Sequence, residues 1–160
     1  EKNPNLTLLG GQIAEFIGEE DNIVSRRKVP TEASAIRKFA ACRSPFNNVT
    51  VMYKKSDVLS VGAYPKINRA EDYLLAAKLI SKGFNVKNLS KTLVHVRTSR
   101  ENLLRRKTWA HTKSAITVRR EIRKLGLSSW PQFILTSLAQ IFLFISPQFV
   151  VKIFYKRLYK

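Results

Sequence analysis

The chain has 160 residues, of which 44% are hydrophobic and 10% aromatic, and this composition excludes an intrinsically disordered protein. A chain of this length can bury the core of one ordinary domain. Its formal net charge of +18 favours partners that carry negative charge, namely phosphate-bearing substrates, an anionic membrane surface or nucleic acid.

The ends of the chain and its single cysteine give expectations about processing and compartment. The sequence begins at Glu1 and not at a methionine, so we expect a piece of a longer protein, and no signal-peptide pattern precedes the first strand. Cys42 cannot form an internal disulfide, which makes a reducing compartment the simplest expectation. A catalytic role for Cys42 is not expected, because its only possible histidine partners, His95 and His111, lie far along the sequence.

The first third of the chain predicts two strands and a helix. Residues 6–17 read as a strand that is interrupted by Gly10 and Gly11, which permit a bulge or the close approach of another backbone. A polar turn over residues 18–22 leads into a short strand that begins at Ile23. The next helix starts near Pro30, and its predicted apolar face consists of Ala33, Ile36, Phe39 and Ala40.

Basic residues cluster around that helix. We interpret the cluster as a solvated surface, because charge runs usually form one. Its members are Arg26, Arg27, Lys28, Arg37, Lys38 and Arg43.

The middle of the chain predicts a strand over residues 51–55, a turn-rich segment over residues 58–65, and a helix that starts at Glu71 and stops at Gly83. Taken alone, Glu71 and Asp72 are ordinary residues of a first helical turn, where the free N–H groups and the helix dipole stabilise negative charge. The same effect predicts a lowered pKa, so that the Asp72 carboxylate stays ionised.

Three segments follow one another at a characteristic spacing. They are residues 44–56, the turn Val61–Gly62–Ala63–Tyr64 and the helix start Glu71–Asp72–Tyr73. Their order and their apolar surroundings resemble the family-two glycosyltransferases, the inverting enzymes of the GT-A fold that build bacterial polysaccharides. The resemblance runs from about Leu8 to the C-terminus. It implies an α/β fold, in which residues 1–98 form the C-terminal, acceptor-side half of a GT-A catalytic domain, and residues 99–160 form a basic, amphipathic helical extension that associates with membranes.

The resemblance also assigns roles to residues. Asp72 is implied as the general base that takes the proton of the acceptor hydroxyl, and Glu71 as the residue that positions the acceptor or the adjacent loop. Asn47, Asn48 and Tyr73 are implied as substrate contacts.

On the donor side, Arg105 and Arg106 match two arginines that the relatives often carry. Their planar guanidinium groups fit the oxygens of a diphosphate, although a solvated basic face explains them equally well. The relatives hold a divalent cation, Mg²⁺ or Mn²⁺, with an Asp-x-Asp motif. This sequence contains no such triplet. We therefore expect the cation's ligands mostly outside this chain, and we expect the chain alone to be inactive.

Residues 93–97 predict a half-buried strand in which His95 lies between Val94 and Val96. An exposed or hydrogen-bonded histidine is the simpler interpretation of that position, in preference to a catalytic one or a metal ligand.

The last third of the chain is basic and then apolar. Residues 97–160 contain 14 Lys and Arg against two acidic residues, and residues 99–125 favour a helix with Trp109, Ile116 and Ile122 on one side. After a break over residues 127–131, an apolar stretch over residues 133–151 is interrupted by polar residues and by Pro147. Two interfacial helices hinged near Pro147 are favoured, a buried or partner-binding helical pair comes next, and a spanning helix comes last.

The sequence therefore predicts a glycosyltransferase that moves a sugar from a nucleotide-sugar donor to a saccharide or lipid-linked acceptor in bacterial surface polysaccharide synthesis. We expect it in the cytoplasm, bound peripherally to the anionic inner face of the cell membrane. Two alternatives stay open, a nucleic-acid-binding module and a non-catalytic membrane-surface scaffold. Nucleic acid is the weaker expectation, since no helix-turn-helix, zinc or RNA-recognition signature is visible.

Overall fold

The structure is a computed structural model that describes residues 3–67, 69–99 and 108–147. It is a mixed α/β arrangement with a four-stranded sheet. The strands are β1 (Leu6–Phe16), β2 (Ile23–Arg27), β3 (Met52–Tyr53) and β4 (Asn85–Arg97). The helices are α1 (Ala33–Ala40), α2 (Lys55–Ser60), α3 (Glu71–Ser81), α4 (Trp109–Lys124) and α5 (Trp130–Ile145), with a single 3₁₀ turn at Asn48–Thr50.

Strand β1 organises the sheet because it pairs with all three other strands. Strand β4 runs parallel to β1 along its length, from Leu6 beside Asn85 to Phe16 beside Arg97. Strands β3 and β2 are antiparallel to β1, and they pair with its first and second halves respectively. Since β4 occupies one edge of β1 throughout, β2 and β3 share the other edge.

The glycine pair in β1 sits where neighbouring groups come very close. A Cβ at Gly10 would lie 2.4 Å from Asn88 Oδ1 and 2.9 Å from Phe46 Cδ1, and one at Gly11 would lie 2.5 Å from Leu93 Cδ1. The register between β1 and β4 is also irregular around Gly10 and Gln12. The irregular register agrees with the predicted bulge, whereas the closest neighbours of the pair are side chains and not the backbone that was the alternative prediction.

Among the described elements, helix α3 supplies the largest share of the core. Seven of its residues are buried: Tyr73, Leu74, Leu75, Ala76, Ala77, Leu79 and Ile80. They pack with Ile36 and Ala40 of α1, Val86 of β4, and Val118 and Ile122 of α4. Burial of this much apolar surface is the main stabilising contribution to such a fold.

Several predicted elements are confirmed. Strands start near Leu6 and at Ile23, α1 follows Glu32, and α3 starts at Glu71 and ends before Gly83, which adopts a φ of 79°.

Two predictions for the middle of the chain are wrong. The predicted strand over residues 51–55 has only two residues, and α2 begins at Lys55, partly within the segment predicted as turn-rich. Helix α2 is six residues long and buries only Val58, so it leaves almost no apolar period in the sequence. Strand β4 begins at Asn85 and not near residue 93, and the polar Asn88 is one of the residues it buries.

The predicted apolar side of the basic helix also needs correction. Helix α4 buries Thr112, Val118 and Ile122, whereas Trp109 is 60% exposed. Trp109 is the first residue of the helix, so its ring reaches outward to Phe144 of α5, 5.7 Å away between ring centroids, and does not enter the core.

Helix α5 is bounded by clear sequence signals. Ser129 and Gln132 form a reciprocal capping box at its start, and it ends at Ile145, just before Ser146 and Pro147. No helix in the described part of the chain is long and apolar enough to cross a membrane. The second helix expected after Pro147 lies outside the described residues.

Candidate active site

The two adjacent carboxylates stand at the start of α3, where the backbone is strained. Arg69 and Ala70, the two residues before the helix, have φ values of 77° and 60°, in the left-handed region that non-glycine residues rarely adopt. Strain of about 1–3 kcal/mol per residue is tolerated where the surrounding structure requires that conformation, and such strain is frequent at active sites. This turn directs the chain into α3 with Glu71 and Asp72 in the first turn.

Asp72 lines a small depression that we call the tyrosine pocket. It is lined by five polar residues, Asp72, Asn48, Ser44, Tyr53 and Tyr64, and by five apolar ones, and its volume of about 10 Å³ gives room for a single hydroxyl group or water. Asp72 is only partly accessible there. The tyrosine rings meet edge to face with their centroids 6.5 Å apart.

The electrostatics of Asp72 differ from the expectation of a lowered pKa. Burial raises the pKa of the Asp72 carboxyl above its ordinary 3.8, and the neighbouring Glu71 charge raises it further. The backbone N–H groups at the helix start and the charge of Arg27 act in the opposite direction without outweighing the burial. The helix-terminus argument therefore gave the wrong direction because desolvation is larger. A raised pKa makes the carboxylate a stronger base.

The same pocket perturbs Tyr64. Burial, together with a hydrogen bond to Tyr53 and the charges of Asp72 and Glu71, raises the pKa of Tyr64 to about 12. The Tyr64 hydroxyl stays protonated at neutral pH and donates its proton to Tyr53, so its oxygen can accept a hydrogen bond from a hydroxyl in the pocket.

A larger cleft lies beside the tyrosine pocket, and Ser44 lines both. Its volume is about 220 Å³, and we call it the arginine cleft because four arginines line it. They come from distant parts of the sequence: Arg27, Arg43, Arg69 and Arg119. Two of them, Arg27 and Arg43, belong to the cluster interpreted as a solvated surface; both are partly buried, so that interpretation is wrong for them.

Tyr73 separates the core from this cleft. Its ring lines the cleft, and its hydroxyl donates a hydrogen bond of 2.6 Å to the carbonyl oxygen of Ala40 at the end of α1. Burial raises the pKa of Tyr73, against the opposing charges of Arg119 and Arg43. The structure thus gives Tyr73 a bracing role between α1 and α3, and its contact with substrate stays a prediction.

Of the other predicted site residues, Asn48 is at the pocket and Asn47 is buried. Asn48 lines the tyrosine pocket, close to Asp72. Asn47 is 1% exposed and donates hydrogen bonds to the carbonyl oxygens of Gly11 and Arg27, so it ties its segment to β1 and β2, and its contact with substrate stays a prediction. Arg105 and Arg106 lie outside the described residues, and their role stays a prediction.

His95 is exposed and pairs with Glu20, with 2.7 Å between Nδ1 and Oε1, as expected of a hydrogen-bonded strand histidine. Among residues 3–67, 69–99 and 108–147, no three His, Cys, Asp or Glu side chains come together as a metal site would require. The expected divalent cation stays a prediction.

Three curated bacterial proteins are similar to much of this chain. An uncharacterised glycosyltransferase of Haemophilus influenzae is 42% identical over 107 residues, which are 67% of this chain and 39% of that protein. The amylovoran biosynthesis glycosyltransferase AmsE of Erwinia amylovora is 31% identical over 120 residues, 75% of this chain and 44% of that protein. The chain is a distant homologue of bacterial glycosyltransferases.

A third relative, from Escherichia coli, is named UDP-Gal:alpha-D-GlcNAc-diphosphoundecaprenol beta-1,3-galactosyltransferase. It is 31% identical over 146 residues, which are 91% of the present chain and 53% of the E. coli protein. The chain spans between 39% and 53% of the length of these curated relatives. No protein-family model and no solved structure matches the chain, so the GT-A fold stays a prediction.

Proposed function

We propose that this chain forms the acceptor side of an inverting glycosyltransferase of the GT-A type, with Asp72 as the general base. The observation that carries the proposal is the placement of Asp72, a partly buried carboxylate of raised pKa that lines a hydroxyl-sized pocket beside a cleft lined by four arginines. The homology to bacterial glycosyltransferases supports the same reaction class.

In the proposed reaction, Asp72 accepts the proton of the acceptor hydroxyl while that oxygen attacks the anomeric carbon of the donor sugar. The bond from the anomeric carbon to the donor's diphosphate breaks, and its electron pair leaves with the nucleoside diphosphate. Tyr64 and Asn48, which line the same pocket, can orient the acceptor hydroxyl through hydrogen bonds. Glu71 raises the basicity of Asp72 through its charge.

The donor side would need groups beyond those described above. A divalent cation on the donor would neutralise the leaving diphosphate. We propose that its ligands lie mostly outside this chain, and that Arg105 and Arg106 assist. The E. coli relative's name suggests the substrates, namely a UDP-sugar donor and an acceptor sugar linked through a diphosphate to a lipid. This would suit surface polysaccharide synthesis in the bacterial cytoplasm.

We propose that α5 places this site at an anionic membrane surface. Its exposed apolar residues form one stripe at helical spacing: Trp130, Ile134, Leu135, Leu138, Phe142 and Ile145. Arg120, Arg123 and Lys124 flank its start, and the Arg123 guanidinium lies 4.3 Å from the centre of the Trp130 ring. An apolar stripe bordered by cations is typical of helices that lie in the membrane interface.

The catalytic proposal is tested by the Asp72→Asn variant of the full-length protein. Transfer of sugar from a radiolabelled nucleotide-sugar to a lipid-linked acceptor should fall by about 10²–10⁴-fold, the usual contribution of a general base. Asp21→Asn is the matched control, because Asp21 lies in the exposed turn after β1 and should leave the rate unchanged. Transfer by a folded Asp72→Asn variant within threefold of wild type would remove Asp72 from the mechanism.

The membrane proposal is tested by vesicle flotation. Replacing Leu135 and Leu138 with Glu should abolish binding to vesicles that contain anionic lipid, because both side chains are more than half exposed on the stripe. Leu59→Glu is the control, since Leu59 is 57% exposed on α2. Equal flotation of all three proteins would refute docking through α5, and retention on nucleic acid with a steep salt dependence would favour the alternative function instead.

A further inference from the structure

A groove at the junction of α4 and α5 carries positive charge that the catalytic proposal does not use. It is lined by Arg120, Arg123 and Lys124 of α4 and by Trp130 and Phe133 of α5, and we call it the junction groove. Its volume of about 450 Å³ lies within the range of about 300–1,000 Å³ that is typical of small-molecule sites. None of its described lining residues is acidic.

The three cations of the groove lie on one face of α4, because residues three and four apart are neighbours on a helix. The Arg120 side chain is exposed and makes no hydrogen bond or ion pair within residues 3–67, 69–99 and 108–147. Lys124 Nζ lies 2.8 Å from Glu121 Oε1, but their side chains are 64% and 37% exposed. Since exposed pairs of this kind are weak, Glu121 does not withhold Lys124 from a phosphate.

Aromatic rings form the other wall of the junction groove. The Arg123 guanidinium lies 4.3 Å from the centre of the Trp130 ring, and that ring meets Phe133 edge to face with 5.9 Å between centroids. A cation–π contact orients a guanidinium group without neutralising its charge. The groove therefore joins an oriented cation to an aromatic surface, since Trp130 is 60% exposed.

We propose that the junction groove binds the phosphate headgroup of an anionic membrane phospholipid. The inference deepens the proposed docking of α5 at a membrane and rests on it. It adds a saturable site for one lipid molecule to the general attraction between a basic protein and an anionic surface.

The apolar stripe of α5 distinguishes a lipid from other phosphate ligands. Trp130 belongs both to the junction groove and to the stripe, so a phosphate in the groove would have its acyl chains beside the stripe. Tryptophan rings favour the level of the headgroups, and basic pockets at that level bind headgroup phosphates. Inorganic phosphate and nucleic acid would use the cations but would leave the stripe uncovered.

Binding of single lipid molecules can be measured with a short-chain lipid below the concentration at which it aggregates. Isothermal titration of the full-length protein with dihexanoyl phosphatidylglycerol should show saturable binding that dihexanoylglycerol, which lacks the phosphate, does not. Arg120→Gln should weaken this binding at least about threefold, because it removes one charge-assisted contact at an exposed position that the fold does not need. Arg123→Gln should weaken it at least about tenfold, because Arg123 is oriented by Trp130.

Lys113→Gln is the matched control, since it removes one positive charge from an exposed position of α4 outside the groove. Equal effects of Lys113→Gln and Arg120→Gln would indicate diffuse attraction by net charge and would overturn the proposal. Absence of saturable binding to the wild type would also overturn it. Inorganic phosphate that binds as tightly as the lipid would assign the groove to free phosphate, and tighter binding of a short oligonucleotide that displaces the lipid would assign it to nucleic acid.

The groove and the stripe can be tested separately. Leu135 and Leu138 do not line the groove, so the variant with both replaced by Glu should still bind the soluble lipid while it loses flotation with vesicles. Flotation of a wild type that does not bind the soluble lipid would remove the junction groove and leave the proposed docking intact. Soluble-lipid binding by a wild type that does not float would refute the proposed docking alone.

Discussion

The hydrogen bond from Tyr73 to Ala40 gives a prediction whose size follows from the structure. Ala40 ends α1, where carbonyl oxygens lack a helical N–H partner, and the Tyr73 hydroxyl supplies a donor at 2.6 Å. Tyr73 is 8% exposed, so water cannot easily replace that donor. Tyr73→Phe should therefore lower the free energy of unfolding by about 1–2 kcal/mol, within the range for a buried acceptor left without its donor.

Thermal denaturation of the full-length protein measures this loss. At about 2–4 °C per kcal/mol for a domain of this size, Tyr73→Phe should lower the Tm by about 2–8 °C. Ser34→Ala is the control, because Ser34 is exposed on α1 and the loss of its hydroxyl should change stability by less than about 0.5 kcal/mol. Equal Tm values for wild type and Tyr73→Phe would show that the hydroxyl does not brace α1 against α3.

Three further predictions concern the start of α3 and the glycine pair. Ala70→Gly should stabilise the protein in chemical denaturation by about 0.5–1 kcal/mol, because glycine removes the left-handed strain at a φ of 60° at a smaller entropic loss. Asp72→Asn should raise the Tm at neutral pH. The pKa of Asp72 in the folded protein lies above its unfolded value of 3.8, so ionisation of Asp72 destabilises the fold as the pH rises from 3.8 through the folded pKa. That gain should shrink as the pH falls toward 3.8, and a constant gain would contradict the raised pKa. Gly10→Ala should lower stability by about 1–3 kcal/mol through overlap with Asn88, and unchanged unfolding would show that the strands can separate there.

The acidic helix start could be predicted from sequence because its signals are local. Helix α3 has an apolar period, acidic residues in its first turn and a glycine stop, all within thirteen residues of one another. The tyrosine pocket left a weaker signal, since Tyr64 stands in the turn that precedes the helix. The length of β4 was underestimated because of Asn88. This polar residue is buried where alternation predicts an apolar one, and it donates hydrogen bonds to the carbonyl oxygens of Pro30 and Pro45.

The arginine cleft could not be predicted in the same way. Its arginines come from β2, the segment after α1, the turn before α3, and α4, and only tertiary packing brings them together. In the sequence they are indistinguishable from exposed neighbours such as Arg26 and Arg120. The pKa of Asp72 was predicted in the wrong direction for a similar reason, because desolvation depends on the distant residues that cover the carboxyl.

The pH dependence of sugar transfer tests the central claim most directly. In the full-length wild-type protein, kcat/KM should fall at acidic pH with an apparent pKa above 3.8, because protonation removes the base. The residual activity of Asp72→Asn should lack that acidic limb. An identical acidic limb in wild type and Asp72→Asn would contradict the assignment of Asp72 as the general base.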